Sequence, residues 1–203
     1  GRWAETWERQ ALLRARFICG NQDLGDRFIE LIEEVRYPRL GLDNSHVREI
    51  RAIKARVERE RMPRGVDPLR HLKLGKGSLS DVEWTVQLLQ LQYAGAHPRL
   101  RSPATTHSLT AAVDIGIISS SDAEKLIDSW NTASRLRNLN VLATGRMKGE
   151  KVDVLPREQD SRAVVAALAG YDPKAQQLLD EDYLRVTRRA REVVERIFYG
   201  VNS

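Results

Sequence analysis

The chain has 203 residues, of which 41% are hydrophobic and 30% charged, with a net charge of +5. This balance is typical of a globular protein and argues against a disordered chain. No apolar run approaches the roughly 20 residues that a membrane helix needs, and no signal-peptide pattern follows Gly1. The only cysteine, Cys19, excludes an internal disulfide, and four scattered histidines give no metal-ligand spacing. We therefore expect a cytoplasmic protein with no membrane contact and no metal or cofactor held by this chain.

Helical spacing of apolar residues recurs along the chain and predicts an all-α fold. Three helices are expected before Pro63, over about 3–19, 22–36 and 44–62. On the second, the residues expected to face the core are Leu24, Phe28, Leu31, Ile32 and Val35. Tryptophans on the apolar stripes, such as Trp3, Trp7, Trp84 and Trp130, are expected in core or interface positions.

Five further helices are expected over about 78–95, 103–115, 121–142, 158–169 and 173–198. Ser121-Asp-Ala-Glu124 has the pattern of a capping box, and the polar stretch 144–156 predicts a mobile loop. The total is a bundle of about eight helices forming one helical domain over 1–203. A three-helix part, 1–62, and a five-helix bundle, 78–200, would be joined by the loop 63–77 and pack together.

The most unusual segment is His71-Leu-Lys-Leu-Gly-Lys-Gly-Ser-Leu-Ser-Asp-Val-Glu-Trp84. Glycines permit a positive φ and close approach of a ligand, lysines meet phosphate, and a helix start offers N–H groups and a positive dipole end. The candidate residues are Lys73, Gly75, Lys76, Gly77, Ser78, Asp81 and Glu83. A basic loop capped by Ser78 or Ser80 explains the same pattern, and the residues alone favour that interpretation.

Other candidates are weaker. A basic cluster on the first helix comprises Arg2, Arg9, Arg14 and Arg16; it is either an anion or partner contact or a solvated helix face, and composition favours the latter. His71 and His107 have no nearby nucleophile, so a Ser/His/Asp triad is not supported. Cys19 is expected to be a packing residue rather than a catalytic thiol.

Several elements in order resemble the bifunctional glutamine synthetase adenylyltransferase/adenylyl-removing enzymes. They are Trp7-Glu-Arg-Gln-Ala-Leu-Leu-Arg-Ala-Arg16, Val47-Arg-Glu-Ile50, Lys73-Leu-Gly-Lys-Gly-Ser-Leu-Ser-Asp-Val-Glu-Trp84 and Gln87-Leu-Leu-Gln-Leu91. The resemblance implies an enzyme with two nucleotidyltransferase domains, each followed by a helical domain. One half removes AMP from glutamine synthetase by phosphorolysis, and the other attaches AMP from ATP to a tyrosine of glutamine synthetase with Mg²⁺. Asp81-Val82-Glu83 favours the helical domain of the adenylyltransferase half.

The resemblance also sets expectations for the site. The family's Gly-Gly is Gly77-Ser78 here, which makes a helix cap more plausible. The family's Gly-Ser turn with an Asp-x-Asp metal pair is absent from this chain, so the chain alone is expected to have no catalytic residues and no activity. Mg²⁺ and ATP would bind only in the full-length enzyme. Asp81 and Glu83 would support the site or an interface rather than bind metal.

The expected partners are the enzyme's own upstream nucleotidyltransferase domain, glutamine synthetase and a PII-class signalling protein. Lys73, Lys76, Arg14 and Arg16 would face the nucleotide cleft or a domain interface. Two alternatives stay open: a basic helical nucleic-acid-binding module, which the interspersed acidic residues disfavour, and a purely structural spacer.

Overall fold

The computed structural model describes residues 5–146 and 149–201. Within these ranges the helices are α1 (Thr6–Leu12), α2 (Gln22–Arg36), α3 (Asn44–Arg61), α4 (Leu79–Tyr93), α5 (Thr105–Asp114), α6 (Ser120–Thr144), α7 (Gln159–Ala169) and α8 (Gln177–Val194). Short helical turns lie at Pro68–Arg70, Pro98–Leu100, Glu150–Asp153, Pro173–Ala175 and Glu195–Tyr199. The described residues contain no strand beyond one isolated bridge between His71 and Val154. The predicted all-α fold with about eight helices is confirmed.

The first helix is much shorter than predicted. It is capped by Glu5 and Glu8 and ends at Leu12, because the following segment packs onto α2 instead of continuing the helix. Arg36 Nη1 donates to the Ala15 carbonyl oxygen at 3.1 Å. The ring of Phe17 occupies the place where a Cβ on Gly25 would lie, 2.3 Å from Phe17 Cδ2.

Two other local predictions need correction. Ser119, not Ser121, caps α6, since its Oγ accepts from the Asp122 N–H at 3.1 Å. Part of the predicted loop 144–156 is held in place: Asn140 Nδ2 donates to the carbonyl oxygens of Val152 and Val154, both at 3.0 Å. Residues 147 and 148 of that loop lie outside the described residues.

None of the helices in the described ranges combines the length and apolar character needed to cross a bilayer.

The chain divides into two compact units. Unit 1 comprises residues up to Arg56 together with Trp84–Ala123, and unit 2 comprises Val57–Glu83 together with residues from Glu124 onward. The boundaries fall within α3, α4 and α6. Each unit therefore draws on both sides of the loop 63–77. The expected parts 1–62 and 78–200 stay a prediction. Folding as one domain stays a prediction.

In unit 1, polar side chains hold the end of α4 and the chain that follows it. Gln90 Nε2 donates to the carbonyl oxygens of Leu100 and Ser102 at 2.8 and 2.7 Å. Arg101 donates to the Ala94 carbonyl oxygen at 2.8 Å and to Glu33 Oε1 at 2.8 Å. The bond to Ala94 satisfies a carbonyl group at the end of α4, and the bonds from Gln90 hold the chain that follows this helix.

The core of unit 2 surrounds the start of α4. Its buried cluster consists of Leu72, Leu79, Ala133, Leu136, Leu155, Val165, Ala166, Leu179 and Tyr183. At its edge, Arg70 forms two hydrogen bonds of 3.0 Å with the carboxylate of Asp180, and Arg162 adds a third at 3.3 Å. Since a fork-like guanidinium pairs well with both carboxylate oxygens, this contact fixes the segment before α4 against α8.

Candidate functional site

The glycine–lysine segment, residues 71–83, lies entirely in unit 2. It begins with a tight turn around the buried His71, whose Nδ1 accepts from the N–H groups of Lys73 and Leu74 at 3.2 and 3.1 Å. Gly75 closes the turn by donating to the His71 carbonyl oxygen at 2.8 Å. A Cβ on Gly75 would lie only 2.4 Å from that same oxygen, so the turn requires glycine.

Gly77 brings the backbone directly against α8. Its φ is +73°, and a Cβ there would lie 1.9 Å from the Thr187 carbonyl oxygen. Its own carbonyl oxygen accepts from Ser129 Oγ at 2.6 Å. The space that glycine provides at this position is therefore filled by the protein's own helix.

Ser78 is fully buried and joins three parts of unit 2. Its Oγ donates to the Leu72 carbonyl oxygen and accepts from the Tyr183 hydroxyl, the latter at 3.2 Å. Burial raises the pKa of Tyr183 to about 12; the bond to Ser78 opposes the shift and the nearby Asp81 charge adds to it. Positive φ values among the described residues occur only at glycines, so Ser78 does not need the conformation that Gly-Gly would allow.

Asp81 is the buried acidic centre of the segment. Its Oδ2 accepts from the Gly77 N–H at 2.6 Å and from Arg191 Nη1 at 2.9 Å. Arg191 also donates to Glu195 at 2.9 Å and lies over the Tyr199 ring, 5.0 Å from its centre. Burial lowers the pKa of Arg191, but the charge of Asp81 and the bonds to Glu195 and Asp81 outweigh burial and raise it overall. Arg191 therefore stays charged, and its bond to Asp81 links the segment to the last helix.

The N–H groups at the start of α4 donate within the protein. Besides Gly77, Ser78 donates to the Gly75 carbonyl oxygen, Leu79 to that of Leu72 and Ser80 to that of Lys73, at 3.1, 3.4 and 2.9 Å. In the segment the side chains of Lys73 and Lys76 are exposed, and those of Leu74, Ser80 and Glu83 are half-buried. An anion could meet this segment through the two lysines, not through a backbone cradle.

Arg14 and Arg16 belong to the other unit. Both are exposed, and Arg14 lies 3.4 Å from the Pro103 carbonyl oxygen and from Thr105 Oγ1. The structure thus places the predicted site residues in two separate units. Arg2 and Trp3 lie outside the described residues. Cys19 is exposed rather than packed, contrary to expectation.

No group of three or more His, Cys, Asp or Glu side chains that could hold a metal occurs in the described part of the chain. The sequence contains one Asp-x-Asp, Asp180-Glu181-Asp182, on α8. Asp180 is taken by Arg70 and Arg162, and Asp182 accepts from the Tyr171 hydroxyl at 2.7 Å. That bond lowers the pKa of Asp182, burial opposes the shift, and Arg185 assists it. Both carboxylates thus attach α8 to other parts of unit 2.

Unit 1 carries an exposed apolar surface that was not predicted from the sequence. Leu24, Phe28 and Leu31 were expected to face the core, but all three are exposed, whereas Ile32 is buried and Val35 half-buried. Trp7 of α1 is exposed as well. Periodicity signals an apolar helix face, and it does not say which part of a protein covers that face.

Comparisons with known proteins identify the family. The model described as GlnD PII-uridylyltransferase matches residues 49–201. Relatives named bifunctional glutamine synthetase adenylyltransferase/adenylyl-removing enzyme include that of Corynebacterium diphtheriae, 48% identical over 100% of this chain and 19% of the relative. The relative from Streptomyces avermitilis is 50% identical over 98% of this chain and 20% of its own length. The relative from Leifsonia xyli subsp. xyli is 51% identical over 98% of this chain and 19% of its own length.

This chain thus spans about a fifth of the length of the relatives it matches. The sequence resemblance to bifunctional adenylyltransferase/adenylyl-removing enzymes is confirmed. Since the family model covers well over half of the chain, the chain belongs to the GlnD PII-uridylyltransferase family as that model describes it.

Proposed function

We propose that this chain is the helical domain after the second nucleotidyltransferase domain of an enzyme that transfers AMP from ATP to a tyrosine of glutamine synthetase. The enzyme would regulate nitrogen assimilation in the cytoplasm. The observation that carries the proposal is the similarity of the whole chain, at 48% identity, to a relative with that name. Mg²⁺ and ATP would bind in the upstream domain.

In this proposal the chain itself is non-catalytic. Metal-assisted nucleotidyl transfer needs carboxylates that are open to metal ions and substrate. The Asp-x-Asp at 180–182 follows no Gly-Ser turn, and its two aspartates are engaged by Arg70, Arg162 and Tyr171. The catalytic carboxylates are therefore assigned to the rest of the enzyme.

Lys73 and Lys76 are the proposed contribution of this chain to the nucleotide cleft or its interface. Both are exposed, while the backbone on either side of them is fixed by buried residues: Ser78 donates to Leu72, and Asp81 accepts from Gly77. A rigid turn that carries two mobile cations places positive charge at a defined point without a backbone anion site. Glutamine synthetase and a PII-class signalling protein are the proposed protein partners.

The test measures AMP transfer from labelled ATP to glutamine synthetase by the full-length enzyme. Replacing Lys73 and Lys76 together by Ala should lower kcat/KM about fivefold, the effect of losing exposed ionic contacts. Lys174→Ala, at another exposed lysine, is the matched control and should leave the rate unchanged. This chain alone should transfer no AMP.

Other outcomes point elsewhere. Wild-type kcat/KM in the double variant, with unchanged stability, contradicts a role of the lysines and favours a structural spacer. Binding of generic DNA or RNA with a steep salt dependence supports the nucleic-acid alternative. Absence of AMP transfer by the full-length enzyme contradicts the proposed activity itself.

A further inference from the structure

We infer that an exposed apolar face formed by α1, α2 and the segment between them is the surface on which the remainder of the full-length polypeptide docks. This α1–α2 face consists of Trp7, Ile18, Leu24, Phe28 and Leu31. The inference rests on the proposed function, in which this chain is one domain of a longer enzyme. It assigns the interface to a surface in unit 1, separate from the glycine–lysine segment of unit 2.

The face is formed by large apolar side chains that are open to solvent. The exposed fractions are 56% for Trp7, 77% for Ile18, 65% for Leu24, 48% for Phe28 and 73% for Leu31. Leu24, Phe28 and Leu31 follow one another at spacings of four and three residues, which aligns them on one stripe of α2. Single exposed apolar residues are ordinary, whereas a continuous patch marks a binding surface.

Three adjoining grooves show that the patch is continuous. Their volumes are about 450, 500 and 680 Å³. The first and second share Leu31, and the second and third share Leu24 and Phe28. Charged residues line the same grooves, namely Glu8, Arg16, Arg27 and Glu30. Aromatic residues and arginine are enriched at protein interfaces, and these grooves contain both.

The face is held in shape by its own unit. Asn21 caps α2 by accepting from the Leu24 N–H at 2.9 Å. Phe17 packs on Gly25, where a Cβ would meet its ring, and Arg36 holds the Ala15 carbonyl oxygen at 3.1 Å. A surface that is ordered before binding loses less conformational entropy on binding, so the face is suited to a rigid partner.

The length of the relatives indicates the occupant. About four fifths of each relative lies outside the region matched by this chain. A partner on the same polypeptide has an effective concentration of the order of millimolar, so a patch of a few side chains suffices. A separate protein would need an interface of about 800 Å² on each side. We therefore assign the face to the enzyme's own remaining polypeptide rather than to a second copy or another protein.

Cys19 provides a reporter for the test. It is the only cysteine of this chain, it is exposed, and it lines the same groove as Ile18, Leu24 and Phe28. Its alkylation by N-ethylmaleimide can be followed by mass spectrometry of the peptide that contains it. In the full-length enzyme the rate should be about tenfold or more below that in this chain alone, since a docked face exposes the thiol only during undocking.

The test variant is a double variant that carries Leu24→Asp and Leu31→Asp together. The matched control is Leu142→Asp. Leu142 is 71% exposed on α6, so it resembles Leu31 in exposure, but it belongs to unit 2. The double variant should restore rapid alkylation of Cys19 in the full-length enzyme, and the control should not. Circular dichroism checks that each variant of this chain keeps its helices.

Three results would overturn the inference. Cys19 could be alkylated at the same rate in the full-length enzyme and in this chain alone, or its slow alkylation in the enzyme could be unchanged by the double variant. The third result is slow alkylation of this chain alone at a rate that depends on its concentration. The last would assign the face to a second copy. Because the readout is the thiol, it is independent of AMP transfer. Slow alkylation in an enzyme without transferase activity would contradict the proposed function and leave the docking surface standing.

Discussion

The glycine–lysine segment and the α1–α2 face use opposite kinds of residue, and each does the reverse of what its residues suggest. The segment has the glycines, serine and acid of a ligand cradle, yet Gly77, Ser78 and Asp81 are buried and bonded within unit 2. The face has the leucines and phenylalanine of a helical core, yet Leu24, Phe28 and Leu31 are open to solvent.

The difference teaches that a sequence pattern indicates the environment that a residue needs. It does not indicate which part of the protein, or which ligand, provides that environment. A glycine at a close approach fits a ligand or a neighbouring helix equally well. An apolar stripe fits the core of its own unit or the surface of another domain equally well. In this chain α8 fills the space beside Gly77, whereas nothing in the described residues covers Leu31. The comparison can be tested at single positions.

The largest effect is expected at Gly77. In Gly77→Ala the new Cβ would overlap the Thr187 carbonyl oxygen, which belongs to rigid helix backbone. We expect a loss of about 4 kcal/mol or more in the free energy of unfolding, measured by urea titration. Gly65→Ala is the matched control, since Gly65 has a similar φ of +77° but open space around it. It should cost about 1 kcal/mol of backbone strain. Equal losses in the two variants would mean that contact with α8 is not what requires glycine.

The second effect concerns the buried ion pair. Asp81→Asn removes the charge that faces Arg191, whose side chain is only 20% exposed. Because breaking a buried pair leaves one charge uncompensated, we expect a loss of about 3 kcal/mol. The other acidic partner of Arg191 is Glu195, whose side chain is 48% exposed. Glu195→Gln should therefore lower the free energy of unfolding by less than about 0.5 kcal/mol. A small loss of stability in Asp81→Asn would mean that the fold does not need this carboxylate, which would then be available for a functional role. The contrast between the glycine–lysine segment and the α1–α2 face would be weaker.

The third effect is a dependence on alkaline pH. The pKa of Tyr183 is raised from 10.0 to about 12, so between these values the hydroxyl ionises in the unfolded state but not in the folded state. The stability that this group contributes is complete below pH 10 and is lost as the pH rises toward 12. The loss should be about 2 to 3 kcal/mol. Urea titrations of wild type and Tyr183→Phe across this range isolate the effect, because the variant keeps every other titrating group. Parallel pH profiles would contradict the burial of this hydroxyl.

The sequence predicts local structure well where local rules decide it. Helix α2 was expected over 22–36 and spans Gln22–Arg36, since its apolar spacing and its end at Tyr37-Pro38 are both local signals. Helix α1 is shorter than predicted, and the chain after it is held by Arg36, which donates to the carbonyl oxygen of Ala15, 21 residues earlier. Tertiary contacts of this kind override helical periodicity.

The candidate site shows the same limit. Gly75, Gly77 and Asp81 mark the segment as unusual in the sequence, and the structure shows close backbone packing at the two glycines. The partner of Asp81 is Arg191, 110 residues further along the chain, and no spacing rule connects them. Without that partner a buried structural carboxylate cannot be told from a ligand-binding one. In our proposal Leu24 is covered by polypeptide outside this chain. Its exposure could therefore not be predicted from the sequence of this chain either.

The smallest change in stability is expected at Leu31. It tests most directly whether the α1–α2 face, unlike the glycine–lysine segment, is open in this chain. Leu31 and Ile32 are neighbours on α2, but Leu31 is 73% exposed and Ile32 is 6% exposed. In this chain Leu31→Ala should change the free energy of unfolding by less than about 0.5 kcal/mol, whereas Ile32→Ala should cost about 3 kcal/mol. In the full-length enzyme the docked face would bury Leu31, so alkylation of Cys19 should become faster in Leu31→Ala but not in Leu142→Ala. If Leu31→Ala destabilises this chain as much as Ile32→Ala, then Leu31 is already buried without the rest of the enzyme and the α1–α2 face is part of the core.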